Sequence, residues 1–159
     1  MQRSVVKNRA LLIIVAVVVT ASLLASLIPA PAPRSQEGLC KGTAECLEGE
    51  VTKIVDGDTL YIEGVKIRLA LVDTPEFGKE GYEEATEFAA SLCPVGSQAT
   101  ADQDDWQLED RYGRMLAVVY CNGSNLNKEL LESGHGVILT YYCGLSEFGD
   151  EPWAREYGC

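Results

Sequence analysis

Between Val51 and Leu71 the chain carries three β-branched and aliphatic runs, Val51 to Val55, Thr59 to Ile62 and Val65 to Leu71, cut apart by Asp56-Gly57 and Glu63-Gly64. Such dipeptides between apolar runs are tight-turn signals, and the segment reads as a three-strand antiparallel meander. Gly81 to Leu92 then places Tyr82, Ala85, Phe88, Ala89 and Leu92 at helical spacing with Glu83, Glu84 and Glu87 on the other side. That helix should end at Cys93-Pro94, because proline disfavours helical conformation in the residue before it. Gln98 to Ala101 and Met115 to Cys121 are further strands, the second closing at the turn signal Asn122-Gly123. A second helix, Leu126 to Ser133, is capped by Ser124 or Asn125 and stopped by Gly134. A short third helix is expected around Pro152 to Tyr157, with proline at an early position and Gly158 at the end. Five strands first and two or three helices around them predict an α+β fold: a small Greek-key barrel with helices on its outside, stapled by disulfides.

The 159 residues leave room for one domain and a short appendage. Residues 10–28 carry no charge and are almost all aliphatic; Arg3, Lys7 and Arg9 precede them and a Pro/Ala run, Pro29 to Pro33, follows. As a helix these 19 residues would reach roughly 28 Å, near the thickness of a bilayer core. The segment is expected to act as a transmembrane anchor or signal segment, with residues 1–9 as a basic cytoplasmic flank, 29–50 as a linker and cysteine-containing lead-in, and 51–159 as the folded domain. The domain would then lie outside the cell or at its surface, anchored, or secreted if Ala30-Pro31-Ala32 is cleaved. All six cysteines, Cys40, Cys46, Cys93, Cys121, Cys143 and Cys159, fall on the exported side and read as a disulfide set whose pairing is open among 15 possibilities. No CxxC pair occurs and the single histidine, His135, has no cysteine at ligand spacing, which argues against zinc.

Residues 1–34 hold four of the 13 Lys/Arg and no acid, so the remainder carries 9 basic against 24 acidic residues, a net of −15. Most nucleic-acid-binding domains are basic, and this balance argues against a high-affinity, non-catalytic binder. It argues less against an enzyme that needs only local positive charge and a divalent cation.

Such local charge is present. Asp56-Gly57-Asp58-Thr59 is followed by Arg68, then by Asp73-Thr74-Pro75-Glu76, and later by Asp110-Arg111-Tyr112-Gly113-Arg114. Asp58 and Asp73 are hard oxygen donors of the kind Ca²⁺ prefers, and an arginine offers a planar fork suited to two phosphate oxygens. Glu76 is placed to orient or deprotonate a water. Strict strand alternation puts Arg68 and Asp73 on opposite faces, so a shared site demands a kink between them, for which Thr74-Pro75 signals a break nearby.

Taken in order, Val55 to Leu60, Arg68-Leu69, Val72 to Glu76, Asp110 to Arg114 and Asn127 in the helix ending at Gly134 resemble the staphylococcal nuclease (thermonuclease) family, from about Val51 to at least Gly136. The resemblance implies an OB-type five-stranded barrel and Ca²⁺-dependent hydrolysis of DNA and RNA to 3′-phosphate ends. By position it implies Asp58, Asp73 and the carbonyl of Thr74 as metal ligands, and Arg68, Glu76 and Arg114 as catalytic residues. Arg111 and Tyr112 match positions that contact substrate. No protein partner is implied, and a monomer is expected. The acidic charge, the short segment between Glu76 and the first helix, the cysteines and the cysteine-flanked tail depart from the family's founding member.

Each residue also has a plainer reading. Asp56-Gly57 alone is a turn; Arg68 alone is a strand residue; Arg114 alone is a partner for a surface acid such as Asp110; and Glu76 alone is a solvated loop acid. His135 is read as a helix-end or surface residue, Trp106 and Trp153 as packing, and Leu126, Leu130 and Leu131 as core. Asn127 is expected to bond backbone within that core. Tyr141 and Tyr142 are open between stacking on bases and burial against the barrel. The alternative to a nuclease is a catalytically silent OB-type module that binds nucleic acid or protein at the surface; a third reading is a structural cell-surface domain.

Overall fold

The computed structural model describes residues 38–159; the expected basic flank, the expected anchor or signal segment at 10–28 and the Pro/Ala run lie outside the described residues. Strands β1 (Cys46–Ile54), β2 (Thr59–Ile62), β3 (Val65–Leu69), β5 (Gln98–Gln103) and β6 (Met115–Cys121) run in the order β3-β2-β1-β5-β6, and β6 pairs back onto β3. All contacts are antiparallel except that last parallel one, which closes a five-stranded barrel. Two short strands, β4 (Val72–Asp73) and β8 (Val137–Ile138), pair separately, and β7 (Ser124–Asn125) extends β6. Helices α1 (Tyr82–Leu92), α2 (Leu126–Glu132) and α3 (Pro152–Glu156) complete the α+β architecture expected from the sequence. No helix among the described residues is long and apolar enough to cross a membrane.

Strand β5 runs to Gln103, two residues past the expected Ala101, and two further strands differ from the sequence reading. The first begins at Cys46, five residues before the expected Val51, because Cys46 to Glu50 pair with β5 while Val51 to Ile54 pair with β2. A register shift between Val51 and Lys53 lets one strand serve both neighbours, as a closed barrel requires. The acids Glu48 and Glu50 disguise this half, although Leu47, Gly49 and Val51 keep the period of two. The third strand stops at Leu69, not Leu71: the chain turns at Ala70-Leu71, where Leu71 takes φ 63°. This is the kink that a shared Arg68–Asp73 site demands, placed ahead of Thr74-Pro75.

Leu60, Ile62, Ile67, Leu69, Val118 and Val119 belong to one buried cluster on the two faces of the barrel wall, and Leu126 and Leu130 of α2 join it. Asn127 is fully buried and bonds only backbone: its Oδ1 accepts the Val119 N–H at 3.0 Å, and its Nδ2 donates to the carbonyls of Ala70 at 2.8 Å and Ala117 at 3.3 Å. It thereby holds the Ala70-Leu71 turn onto β6. Gly57 has another function than turning. A Cβ there would lie 2.8 Å from Thr74 Oγ1 and 2.9 Å from Ala85 Cβ, so glycine lets α1 and the β4 end close over the β1–β2 loop.

The open disulfide question resolves as Cys40–Cys46, Cys93–Cys121 and Cys143–Cys159. Cys93–Cys121 ties the end of α1 to the end of β6, and the other two close the lead-in and the tail. Trp153 is buried as expected; Trp106 is 64% exposed, against the packing expectation, because its loop lies outside the barrel wall.

Candidate active site

Barrel closure brings the charged motifs together. In β3, Arg68 is the cross-strand partner of Thr59 in β2 and of Leu116 in β6, so Asp58, immediately before Thr59, and Arg114, two residues before Leu116, flank it on either side. Motifs some fifty residues apart thus meet at the seam where the sheet closes on itself.

Asp58 is 6% exposed, and both of its oxygens are engaged. Its Oδ2 accepts the Thr74 N–H at 2.8 Å and the Thr74 hydroxyl at 3.0 Å; its Oδ1 accepts the Thr59 hydroxyl at 3.1 Å and faces Arg68 Nε at 3.1 Å. Arg68 is buried too: Nη1 donates to the carbonyls of Leu69 and Val72, and Nη2 reaches Asp73 Oδ1 at 2.7 Å. One guanidinium therefore moulds the kink with one nitrogen and ties the two candidate metal carboxylates together with the others. Asp56 turns the loop by accepting the Asp58 N–H at 3.2 Å, and burial followed by repulsion from Asp58 raises its carboxyl above the ordinary range.

Arg114 has the Asp110 partner that the plain reading foresaw: its Nε and Nη2 both lie 2.6 Å from Asp110 Oδ2. This does not withdraw it from the site, since its Nη1 donates to Thr59 Oγ1 at 3.3 Å. Asp110 Oδ1 also accepts the N–H groups of Tyr112 and Arg114. Burial pushes the Asp110 carboxyl up, but the hydrogen bonds from Arg114 and Tyr112 outweigh it and hold the group below the ordinary carboxylate range. The Tyr112 ring lies 4.7 Å from the Arg111 guanidinium and 5.5 Å from that of Arg114, and its hydroxyl accepts from Arg111 Nη2 at 2.6 Å.

Arg68, Asp73, Glu76, Arg111, Tyr112 and Arg114 all line one cleft of about 840 Å³. Glu76 is exposed in a turn closed by a 3.0 Å bond from the Lys79 N–H to its own carbonyl. As donors for Ca²⁺, Asp58 and Asp73 are chemically apt, since both are carboxylates converging on one point of positive charge. They are not a cage: among the described residues no three acidic, histidine or cysteine side chains group around a metal position. Ca²⁺ takes about six to eight oxygens, so the balance would come from water, substrate and a carbonyl such as that of Thr74, whose amide and hydroxyl already serve Asp58.

Residues 66–150 match the family of staphylococcal nuclease homologues. The chain belongs to that family. The match contains Arg68, Asp73, Thr74, Glu76, Arg111, Tyr112 and Arg114, and Asp58 lies just ahead of it. An uncharacterized protein of Bacillus anthracis is 36% identical over 121 residues, covering 70% of this chain and 54% of its own length. A protein of Escherichia coli O157:H7 named as an uncharacterized endonuclease is 32% identical over 101 residues, 60% of this chain and 63% of that protein. A micrococcal nuclease of Shigella flexneri is 30% identical over 107 residues, covering 59% of each. The chain thus spans from about half to two thirds of the length of these relatives.

Within this staphylococcal nuclease fold, three contributions escaped the sequence reading. The Thr59 hydroxyl links Asp58 to Arg114, the Val72 carbonyl anchors Arg68, and Trp106 stands in the cleft wall. The first two depend on the closed seam and have no local signal. Trp106 had one: it is a lone aromatic in the polar stretch Asp102 to Asp110, where no apolar period would bury it. Tyr142 also lines the cleft, whereas Tyr141 is 80% exposed and lies against the Tyr142 ring edge-on.

Proposed function

We propose that this chain is a Ca²⁺-dependent nuclease that hydrolyses phosphodiester bonds of DNA and RNA and leaves 3′-phosphate ends. The observation that carries the reading is the convergence of Arg68 and Arg114 on the Asp58–Thr59 corner, in one cleft with Asp73 and Glu76. A phosphodiester repels an attacking water or hydroxide, and its five-coordinate transition state gathers negative charge on the equatorial oxygens. Two guanidiniums donate to those oxygens with a fork that lysine cannot reproduce. Glu76 takes the proton of the attacking water, the P–O5′ bond breaks, and the departing 5′ oxygen takes up a proton from solvent, leaving phosphate on the 3′ side. Asp58 and Asp73 would hold Ca²⁺, which would supply Lewis-acid stabilisation of the same charge. Asp110 and Tyr112 keep Arg114 in position before substrate arrives.

The site is proposed to work outside the cytoplasm, tethered through residues 10–28 or released from them. Three disulfides suit an oxidising compartment, and extracellular Ca²⁺ is abundant enough for a weak two-carboxylate site. An intact mass of the native, unreduced protein tests the tether: retention of residues 1–32 supports it, and their loss makes the protein secreted.

One observation favours a second reading, the silent binding module: four of the five Arg68 N–H donors go to Asp58, Asp73 and two carbonyls, so a two-pronged grip on phosphate requires the release of a partner such as Asp73. Incubation of single-stranded DNA and of RNA with Ca²⁺ or with chelator separates the two. The nuclease reading predicts Ca²⁺-dependent fragments ending in 3′-phosphate. Binding without cutting in either condition would establish the module instead.

A further inference from the structure

Trp106 stands 64% exposed on the wall of the cleft that holds the arginines. Its backbone is nevertheless fixed. Asp104, 1% exposed, accepts the N–H groups of Trp106 at 2.9 Å, Gln107 at 3.2 Å and Glu147 at 3.3 Å, and the Asp105 N–H donates to Glu147 Oε1 at 2.8 Å. The loop is held from beneath, while Trp106 itself stays largely in water.

The surroundings restrict what that ring can meet. Asp104 and Glu109 line the cleft beside it, whereas Asp110 is paired with Arg114, so this part of the wall suits phosphate less than the arginine side does. The uncharged face of an indole is what the wall offers, and every nucleobase has a π-face to match it. Leu108, 52% exposed, lines the same cleft and extends the apolar surface. A Trp side chain has two torsions to freeze, so a ring already carried on a fixed backbone stacks at low entropic cost.

We propose that Trp106 is the stacking platform for an unpaired nucleobase of the strand whose phosphate is held by Arg68 and Arg114. This rests on the nuclease reading and deepens it, assigning to Trp106 the selection of substrates by their bases while the arginines grip the backbone.

The chain has two tryptophans, and the other, Trp153, is 7% exposed in the core, so it contributes emission that a stacked base does not reach, and Trp106→Phe gives that background. Oligothymidylate carrying a terminal anisotropy label is titrated into the protein with chelator present, where no cutting is required. Quenching of wild-type emission that parallels the anisotropy and disappears in Trp106→Phe supports the platform. Binding without quenching, or equal quenching in Trp106→Phe, overturns it. With Ca²⁺ added, Trp106→Ala should raise KM about tenfold on a base-bearing oligonucleotide, with kcat held, and Trp106→Phe should restore most of the loss. An analogue with abasic sites around the cleaved linkage should show no such difference, and an equal penalty on both substrates would overturn the inference. The Trp106→Ala penalty should also persist as salt is raised, unlike that of an arginine. If wild type cuts nothing, the nuclease reading fails on its own account and the chelator titration still decides the stacking.

Discussion

Replacing Asn127 by alanine tests how the active-site kink is held. The substitution deprives two buried backbone groups of a partner, the Val119 N–H and the Ala70 carbonyl; the Ala117 carbonyl keeps its 2.8 Å bond from the Ala70 N–H. A buried group left unsatisfied costs about 1–3 kcal/mol, which puts the loss at about 2–6 kcal/mol. That is a large share of the roughly 5–15 kcal/mol that holds a domain of this size together. The damage should also reach the chemistry, because the Ala70-Leu71 turn, with Leu71 in the left-handed region, directs Asp73 back toward Arg68. Urea unfolding of the oxidised protein measures the first effect, with an unchanged slope expected. Turnover at a temperature where the variant is fully folded measures the second, and kcat should fall. A stability loss under about 1 kcal/mol with wild-type turnover would refute both the bond accounting and the role given to the kink.

Asp102 is 1% exposed and raised to about 6 by burial, opposed by the Lys41 N–H and reinforced by Glu147 and Asp105. Because the folded value lies above the unfolded one, the folded protein holds the extra proton between about pH 4 and 6, and stability falls by roughly 3 kcal/mol as pH rises through that window; Asp102→Asn should remove that slope and melt higher at pH 7, and parallel wild-type and variant curves would contradict it. Replacing Cys93 and Cys121 by alanine opens a bridge spanning 28 positions and should cost about 3–4 kcal/mol in denaturant unfolding. Glu76→Gln, at an exposed position, should cut kcat by about 10²–10⁴ while the melting temperature stays put, read by paired kinetics and thermal melts.

The barrel was legible because β2, β6 and α1 announce themselves locally, with apolar runs or helical spacing ended by Glu63-Gly64, Asn122-Gly123 and Cys93-Pro94. The start of β1 was not, since Glu48 and Glu50 are held as strand by pairing with β5 and not by their own preference. The end of β3 was hidden for a related reason: Ala70-Leu71 reads as strand, yet Asn127, fifty-seven residues away, and the Arg68 guanidinium bend it. The charged residues of the site were recognisable one by one, and Asn127 was placed in the core with its backbone bonds foreseen. Their shared site was implied by the order of the motifs and the family resemblance, whereas the parallel β3–β6 seam that creates it had no local signal. Nor could pattern reveal that Arg68 would be buried between Asp58 and Asp73.

The claim that two guanidiniums grip the scissile phosphate is tested most directly by Arg114→Lys. Lysine keeps the positive charge but loses the fork that reaches Asp110 and Thr59 together. With saturating Ca²⁺ and single-stranded DNA, kcat should drop by about 10²–10³, the range of a lost transition-state donor at about 2.7–4 kcal/mol. The melting temperature should barely move, as this side chain is partly exposed at the cleft. Cleavage by the lysine variant at the wild-type rate would contradict the account.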